Sequence, residues 1–473
     1  MRLPVILSLA TFGKPPSARR RALAAPLHKV ALLLRTATLL RIALLLSLAT
    51  SASTSHAAAQ LASAQLPSAA PGSVGFSAER LVQLDEYMQR LVAGGYIPGA
   101  VTLLARHGKV VAFNRYGTAD PERNITMSKD AIFRIYSQTK VVTGVAMMML
   151  FEQGKWRFDD PVTKFVPEFK QLRVFKGLRA DGSMKLDDLA RPPTMRELLT
   201  HSAGFGYGLS ADDPVDKAYS QSGFLSATDS TDAIQRIAKL PLASQPGEHW
   251  RYSAAADIQG YIVERIAGQS LADFMQNRIF GPLQMHDTAF YVPAVKRQRF
   301  VALKAYDATS KSLIEPSGVL VFDYSQPPGA ASGGAGLVST TTDYSRFAQM
   351  LLNGGELDGA RILSPATVKL LAANHLAEDI RAKPDEPFAA RSGVGFGVDV
   401  SVVLDAAKAG TLRGEGTYDW NGAAGTWFWV DPKNDLIFVG MIQVMNRWQH
   451  PQLQNIDTET SALVYRALVE PRK

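Results

Sequence analysis

The chain has 473 residues, with 51 Lys or Arg against 43 Asp or Glu, a formal net charge of +8 and no cysteine. Eight of the basic residues lie in the first sixty, which contain no acid, so the rest of the chain balances 43 basic against 43 acidic residues. That neutrality removes the electrostatic case for a nucleic-acid partner, and the missing cysteine excludes a disulfide framework, a thiol nucleophile and a Cys-ligated metal.

The first sixty residues read as an export signal and leader. Their basic stretch, from Arg2 to Arg41, leads into the apolar run IALLLSLA, which falls short of the roughly 20 residues needed to span a bilayer. Small residues follow, with Ala57-Ala58-Ala59 as the expected cleavage site and an uncleaved membrane anchor as the alternative. The mature protein is expected to be periplasmic or secreted, without a stable membrane span. Residues 61–74 are Ala/Ser/Pro-rich and are expected to form a flexible link.

Beyond the link, SAERLVQLDEYMQRLVAGG predicts a capped amphipathic helix. Ser77 stands in front, Leu81, Leu84, Met88, Leu91 and Val92 share one face, and Gly94 follows the end. AVTLLAR and KVVAFNRYG then predict two strands joined at His107-Gly108. TKVVTGVAMMMLFEQG is apolar nearly all round, the pattern of a helix buried on every side. From about 140 to 330 the chain shows helical patterns, prolines and turns with little alternation. TWFWVD and LIFVGMIQV flank the turn-like PKND, and DTETSALVYRALVE predicts a closing helix starting at Asp457 or Thr458. The expected fold is α/β (α+β): an antiparallel sheet flanked by helices, built from 75–135 and 331–473, with a mainly helical domain, 136–330, inserted.

Three short motifs carry chemistry in this frame. Ser137-x-x-Lys140 opens the buried helix, where positions i and i+3 share a face. Tyr252-Ser253-Ala254 precedes a second helical pattern, and Trp420-Asn421-Gly422 is read as opening the first strand of the final hairpin. A chain this long carries roughly one Ser-x-x-Lys by chance, so the ordered set matters rather than the single motif. This set resembles the Ser-x-x-Lys, Tyr-x-Asn and Lys-Thr-Gly series of the serine β-lactamase and penicillin-binding-protein superfamily. More closely it is similar to the esterase branch of the class C β-lactamase-like family, in which Trp-Gly-Gly replaces Lys-Thr-Gly. LLTHSAGF (198–205), IFGPLQMHDTAF (279–290) and GGAGLVSTTTDYSRFAQMLLNGG (333–355) extend the likeness from about residue 75 to 470.

The resemblance implies a β-lactamase-like fold and an acyl-Ser137 intermediate, with Lys140 and Tyr252 as proton acceptors or relays. The backbone N–H groups of Ser137 and Ala423 are implied as the oxyanion hole, and Trp420, Asn421 and Gly422 as residues lining the substrate pocket. His201 and His249 read as structural. The eight histidines form no H-x-H or H-E-x-x-H pattern, so neither a metal site nor a cofactor is expected.

Departures from the pattern indicate the substrate. Ala254 stands where the family has Asn, and Trp420 where β-lactamases have the Lys that pairs with the substrate carboxylate. Losing such a charge-assisted bond costs on the order of 1.5–3 kcal/mol, ten- to a hundredfold in binding. Lys408-Ala409-Gly410 is a rival Lys-x-Gly, but the turn-like TLRGEG that follows rejects it, and no G-x-S-x-G elbow is present. The expected activity is hydrolysis of fairly apolar carboxylic esters. A β-lactamase, a D-amino-acid peptidase or an acyltransferase of the same fold is the alternative.

Overall fold

Ser77 caps the first helix as its side-chain oxygen accepts from the Arg80 N–H, and α1 (Ala78–Ala93) buries Leu81, Leu84, Met88 and Leu91. The structure is a computed structural model describing residues 65–318, 320–381 and 392–470; the leader and its cleavage site lie outside the described residues. From Leu66 the segment read as a link is packed rather than loose. Leu66 is buried, and Pro67 and Ala69 pair with Val110 through backbone hydrogen bonds.

The main sheet has eight strands: β1 (Gly99–Arg106), β2 (Lys109–Asp120), β3 (Ile125–Thr126), β4 (Val394–Phe396), β5 (Ser401–Val403), β6 (Tyr418–Asn421), β7 (Thr426–Asp431) and β8 (Leu436–Met441). Their order is β4-β5-β6-β7-β8-β1-β2-β3, every pair antiparallel. The β1–β2 turn has His107 and Gly108 both at positive φ, 54° and 69°, the combination a two-residue hairpin turn requires. At the β7–β8 turn Asp431 accepts from the Asn434 N–H, 3.0 Å, which closes the chain over Pro432 and Lys433.

β7 and β8 are buried on both faces. Trp427, Trp429, Leu436 and Phe438 pack with α1 and the C-terminal helix α5 (Ile456–Ala467). Phe428, Val430, Ile437 and Val439 turn to the other face, against α4 (Thr341–Leu352) and the main core. The period-two alternation of a strand therefore feeds two separate cores from one sheet.

The remaining helices that frame the site are α2 (Gln138–Glu152), buried continuously from Gln138 to Leu150, and α3 (Ala255–Ala267), which packs on it. The middle of the chain is less uniformly helical than its sequence predicts. Arg173–Leu178 pairs with Met184–Asp188, and Lys304–Asp307 with Ser312–Ile314, as small separate sheets. The first pair leaves much of its length exposed, so it lacks the apolar alternation that announces a strand. One short pair matters for the site: Phe133–Arg134 runs antiparallel to Val338–Ser339, bringing the start of α2 beside residues 333–337. Among the described residues no helix is long and apolar enough to cross a membrane.

Candidate active site

The chain leaves the strand Phe133–Arg134 and enters α2 through Tyr136, whose φ is +42°. A left-handed tyrosine is strained by about 1–3 kcal/mol, and the surroundings must hold it. Here its ring is fully buried and its hydroxyl donates to the Leu320 carbonyl, 3.0 Å. The turn places Ser137 at the N-cap of α2, one residue before the helix proper, and its hydroxyl makes no capping bond. Oγ is instead a partner of Lys140 Nζ at 3.3 Å. Among the described residues, the N–H groups of Ser137 and Ala423 donate to no carbonyl. Free donors in such packed surroundings are uncommon.

Lys140 is wholly buried. Besides Ser137, its amine donates to Tyr207 Oη, 3.1 Å, and to the Gly334 carbonyl, 2.7 Å. It also faces the rings of Tyr207 and Tyr252, 4.7 and 4.6 Å from their centroids. Among the described residues no carboxylate is within ion-pair distance of it. α2 is fastened to the glycine segment at two further points: Thr143 Oγ1 donates to the Gly333 carbonyl, 2.7 Å, and the Leu337 N–H donates to Thr139 Oγ1, 3.1 Å. GAASGGAG, which as a sequence is an ordinary loose turn, is thus part of the lysine's cradle. Its glycines are required by close approach: a Cβ on Gly333 would lie 2.4 Å from the Ala256 carbonyl.

Tyr252 reaches the site by its ring. Among the described residues its hydroxyl bonds to neither Ser137 nor Lys140; the phenol bonded to the amine is that of Tyr207. The sequence signal for Tyr207 is its place two residues past the block LLTHSAGF. His201, in that block, brackets Tyr252. Its carbonyl accepts from the Arg251 N–H, 2.8 Å, its Nδ1 accepts from the Ser253 N–H, 3.2 Å, and its ring lies 5.0 Å from that of Tyr252. With Nδ1 an acceptor, Nε2 carries the proton and faces Asp399 Oδ1 at 3.8 Å. Burial, then the Lys140 charge, hold this imidazole well below its ordinary pKa, so it stays neutral.

The third motif sits one strand earlier than expected. Tyr418–Asn421 is an interior strand paired with β5 and β7, and Gly422 to Gly425 form the turn into β7, whose Gly425 N–H donates to the Gly422 carbonyl. Trp420 faces the pocket, its ring 5.7 Å from Tyr252 and 5.4 Å from Phe396. Asn421, the next residue, points to the opposite face, where its amide donates to Asp457, 2.8 Å. Its side chain is therefore committed to α5 rather than to the pocket. Gly422 is required sterically: a Cβ would lie 2.4 Å from the Ile135 carbonyl, two residues before Ser137. Ala423 packs in the cluster of Tyr136 and Ala335. The rival Lys408 lies in a turn and pairs with Asp405, 3.0 Å. Among the described residues no group of three or more His, Asp or Glu could hold a metal ion.

The geometry brings Ser137, Lys140, Tyr252, Trp420 and the Gly422–Ala423 turn to one place and adds Tyr207 and Gly334. Comparison with known proteins identifies the family of the chain. A profile of the family described as Beta-lactamase matches residues 84–459. Protein Rv1367c of Mycobacterium tuberculosis is 37% identical over 355 residues, covering 74% of this chain and 86% of that protein. Esterase EstB of Burkholderia gladioli is 32% identical over 374 residues, 75% of this chain and 88% of its own length. The solved structure of EstCE1, described as a hydrolase with promiscuous acyltransferase activity, superposes with a TM-score of 0.67 at 27% identity, over 82% of this chain and 98% of its own. By profile, relatives and fold, the chain belongs to the Beta-lactamase family, with esterases among its homologues.

Proposed function

We propose that the protein is an exported serine hydrolase that cleaves carboxylic esters through an acyl-Ser137 intermediate. The observation that carries this reading is the 3.3 Å contact between Ser137 Oγ and the buried amine of Lys140, at a serine whose hydroxyl has no structural duty. Lys140 takes the hydroxyl proton as Oγ attacks the ester carbonyl, and the resulting oxyanion is received by the Ser137 and Ala423 N–H groups. Collapse expels the alcohol, protonated by the Lys140 ammonium or through Tyr252 at the pocket's open side. Water, activated by the same amine, then releases the acid and regenerates Ser137. Esterase EstB, a homologue by name an esterase, supports the reaction class.

The aromatic wall supports the substrate class. Trp420, Tyr252, Phe396 and Trp250 pack edge to face, tilted or stacked at centroid distances of 5.4–6.3 Å. They offer an apolar surface where a β-lactamase would need a cation. A second reading is acyl transfer, since the acyl-enzyme yields to an alcohol as it does to water; the activity named for EstCE1 favours keeping it.

Purified mature chain is expected to hydrolyse short-chain p-nitrophenyl esters and to lose that activity by at least about a thousandfold on Ser137→Ala. Absence of turnover across the panel sinks the proposal, and fast nitrocefin hydrolysis with weak ester cleavage replaces it by a β-lactamase. New esters on adding an acceptor alcohol establish the transferase.

A further inference from the structure

We infer that Asp257 sets the direction of the proton-accepting lone pair of Lys140, acting through the hydroxyl of Tyr207. The inference rests on the reading of Lys140 as the base for Ser137. An amine ready to take a proton has two N–H bonds and one lone pair, and Lys140 Nζ has three oxygen neighbours. The Gly334 carbonyl, 2.7 Å away, can only accept. Tyr207 Oη, 3.1 Å away, can accept or donate. If it donates, it occupies the lone pair and leaves Ser137 facing an N–H bond. If it accepts, both N–H bonds are used on Gly334 and Tyr207, and the lone pair is left for the Ser137 hydroxyl. The productive arrangement therefore requires the Tyr207 proton to be held elsewhere.

Asp257 is built to hold it. Its Oδ1 is already saturated by the Ser332 hydroxyl, 2.5 Å, and the Gly334 N–H, 3.1 Å. Its Oδ2 is buried and has no hydrogen-bond partner among the described residues. Gly334 locates the two groups relative to each other: a Cβ there would lie 2.5 Å from Asp257 Oδ2 and 2.7 Å from Tyr207 Oη, so both oxygens converge on the space a side chain would fill. Burial, followed by the Asp257 carboxylate, pushes the Tyr207 phenol well above its usual range, so the phenol keeps its proton. A small adjustment of the two side chains that brings Tyr207 Oη into hydrogen-bond geometry with Oδ2 satisfies the orphaned carboxylate oxygen and makes Tyr207 an acceptor toward Lys140. Asp257 is a positioning residue: it touches neither the nucleophile nor its base directly.

The same geometry dictates what an amide would do. Because Ser332 and Gly334 both donate to Oδ1, Asp257→Asn must keep its oxygen there and put its NH2 at the Oδ2 position, donating to Tyr207. The tyrosine proton is then driven toward Lys140, occupying the lone pair. Two readouts follow for the full mature chain: steady-state hydrolysis of p-nitrophenyl esters, and the rate at which a fluorophosphonate probe labels Ser137. Asp257→Asn is expected to lower kcat and the labelling rate by about 10- to 100-fold, with KM within about twofold and an unchanged thermal midpoint. Placed in a Tyr207→Phe background, Asp257→Asn is expected to add less than about twofold, because its intermediary is already gone. Multiplicative losses in the double variant, or wild-type labelling by Asp257→Asn, overturn the inference while leaving Ser137 as nucleophile. If Asp257→Asn does not fold, Tyr207→Phe alone decides: a labelling rate equal to wild type overturns it, and at least a fivefold loss at constant KM supports it. A wild-type chain that neither labels nor hydrolyses overturns the catalytic reading itself, and the inference falls with it.

Discussion

The Lys140 side of the pocket and the Trp420 side are built by different rules. On the Lys140 side, the amine is sealed from water and held by three oxygens: Tyr207 from a loop, Gly334 from a second loop, and Ser137 from one helical turn away. On the Trp420 side, rings meet rings, and the contacts depend on shape rather than on donors and acceptors. A hydrogen-bond cradle tolerates almost no displacement, whereas stacked rings yield gradually. Chemistry and selectivity should therefore fail separately when each wall is altered.

Of changes to the two walls, Gly334→Ala is expected to have the largest effect. The new Cβ would be placed 2.5 Å from Asp257 Oδ2 and 2.7 Å from Tyr207 Oη, closer than carbon and oxygen can approach, so the loop or both side chains must move. The carbonyl that holds Lys140 moves with them. We expect kcat to fall at least about a hundredfold, as displacements near 1 Å at a reacting group do. Gly72→Ala, where nothing lies within 4 Å of the added carbon, serves as the control and should keep wild-type kinetics. Equal activity in the two variants would remove the distinction between a rigid and a yielding wall.

Trp420→Leu attacks the other wall and should be milder and of another kind. The leucine keeps an apolar surface but loses the ring contacts with Tyr252 and Phe396. About 1–2 kcal/mol of substrate contact should be lost, seen as a roughly tenfold rise in KM with kcat within about threefold. The rise should be steepest for the bulkiest acyl groups in a p-nitrophenyl ester series. A collapse in kcat with unchanged KM would assign Trp420 to the chemistry and merge the two walls.

The same division governs what the amino-acid sequence discloses. Ser137 and Lys140 are legible because a helix converts spacing into proximity without help from the rest of the chain. β1 and β2 are legible as strand-like runs joined at His107-Gly108, and α1 through its cap and apolar face. Tyr207, Asp257 and Gly334 are invisible as a set, since Tyr207 and Gly334 lie 67 and 194 residues from Lys140, Asp257 lies 77 from Gly334, and no spacing joins the three. Trp420-Asn421-Gly422 is recognisable as a motif, but its strand is the one before the final hairpin. The run AAGTWFWV is so strongly β-like that it absorbs the residues before it, and only the pairing of Trp420 with Phe428 reveals a separate strand. The role of Asn421 could not be read either, because it depends on the register that turns its side chain to Asp457.

The subtlest effect concerns Asp399, which backs the Lys140 wall without entering it. Its backbone is left-handed, φ +56°, its Oδ1 accepts from Gln259 Nε2, 3.2 Å, and its Oδ2 has no partner among the described residues. Burial is the main cause that lifts its carboxyl to about 8, with Asp257 adding to the rise and Gln259 and Lys140 opposing it. A carboxyl raised in the folded state binds its proton there more tightly than in the unfolded chain. Between about pH 4 and pH 8 the native state therefore holds the extra proton, and stability must fall as pH climbs through that window. Asp399→Asn removes the titration while keeping the acceptor for Gln259, and asparagine accommodates the left-handed backbone. The variant's advantage in thermal midpoint over wild type should accordingly be small at pH 5 and grow toward pH 8, with esterase kinetics at pH 7 little changed. A midpoint difference that stays constant from pH 5 to pH 8 would mean that Asp399 is already ionised in the fold. The wall behind Lys140 would then carry a permanent negative charge, and the contrast between the sealed, balanced side of the pocket and its aromatic opposite would have to be redrawn around that charge.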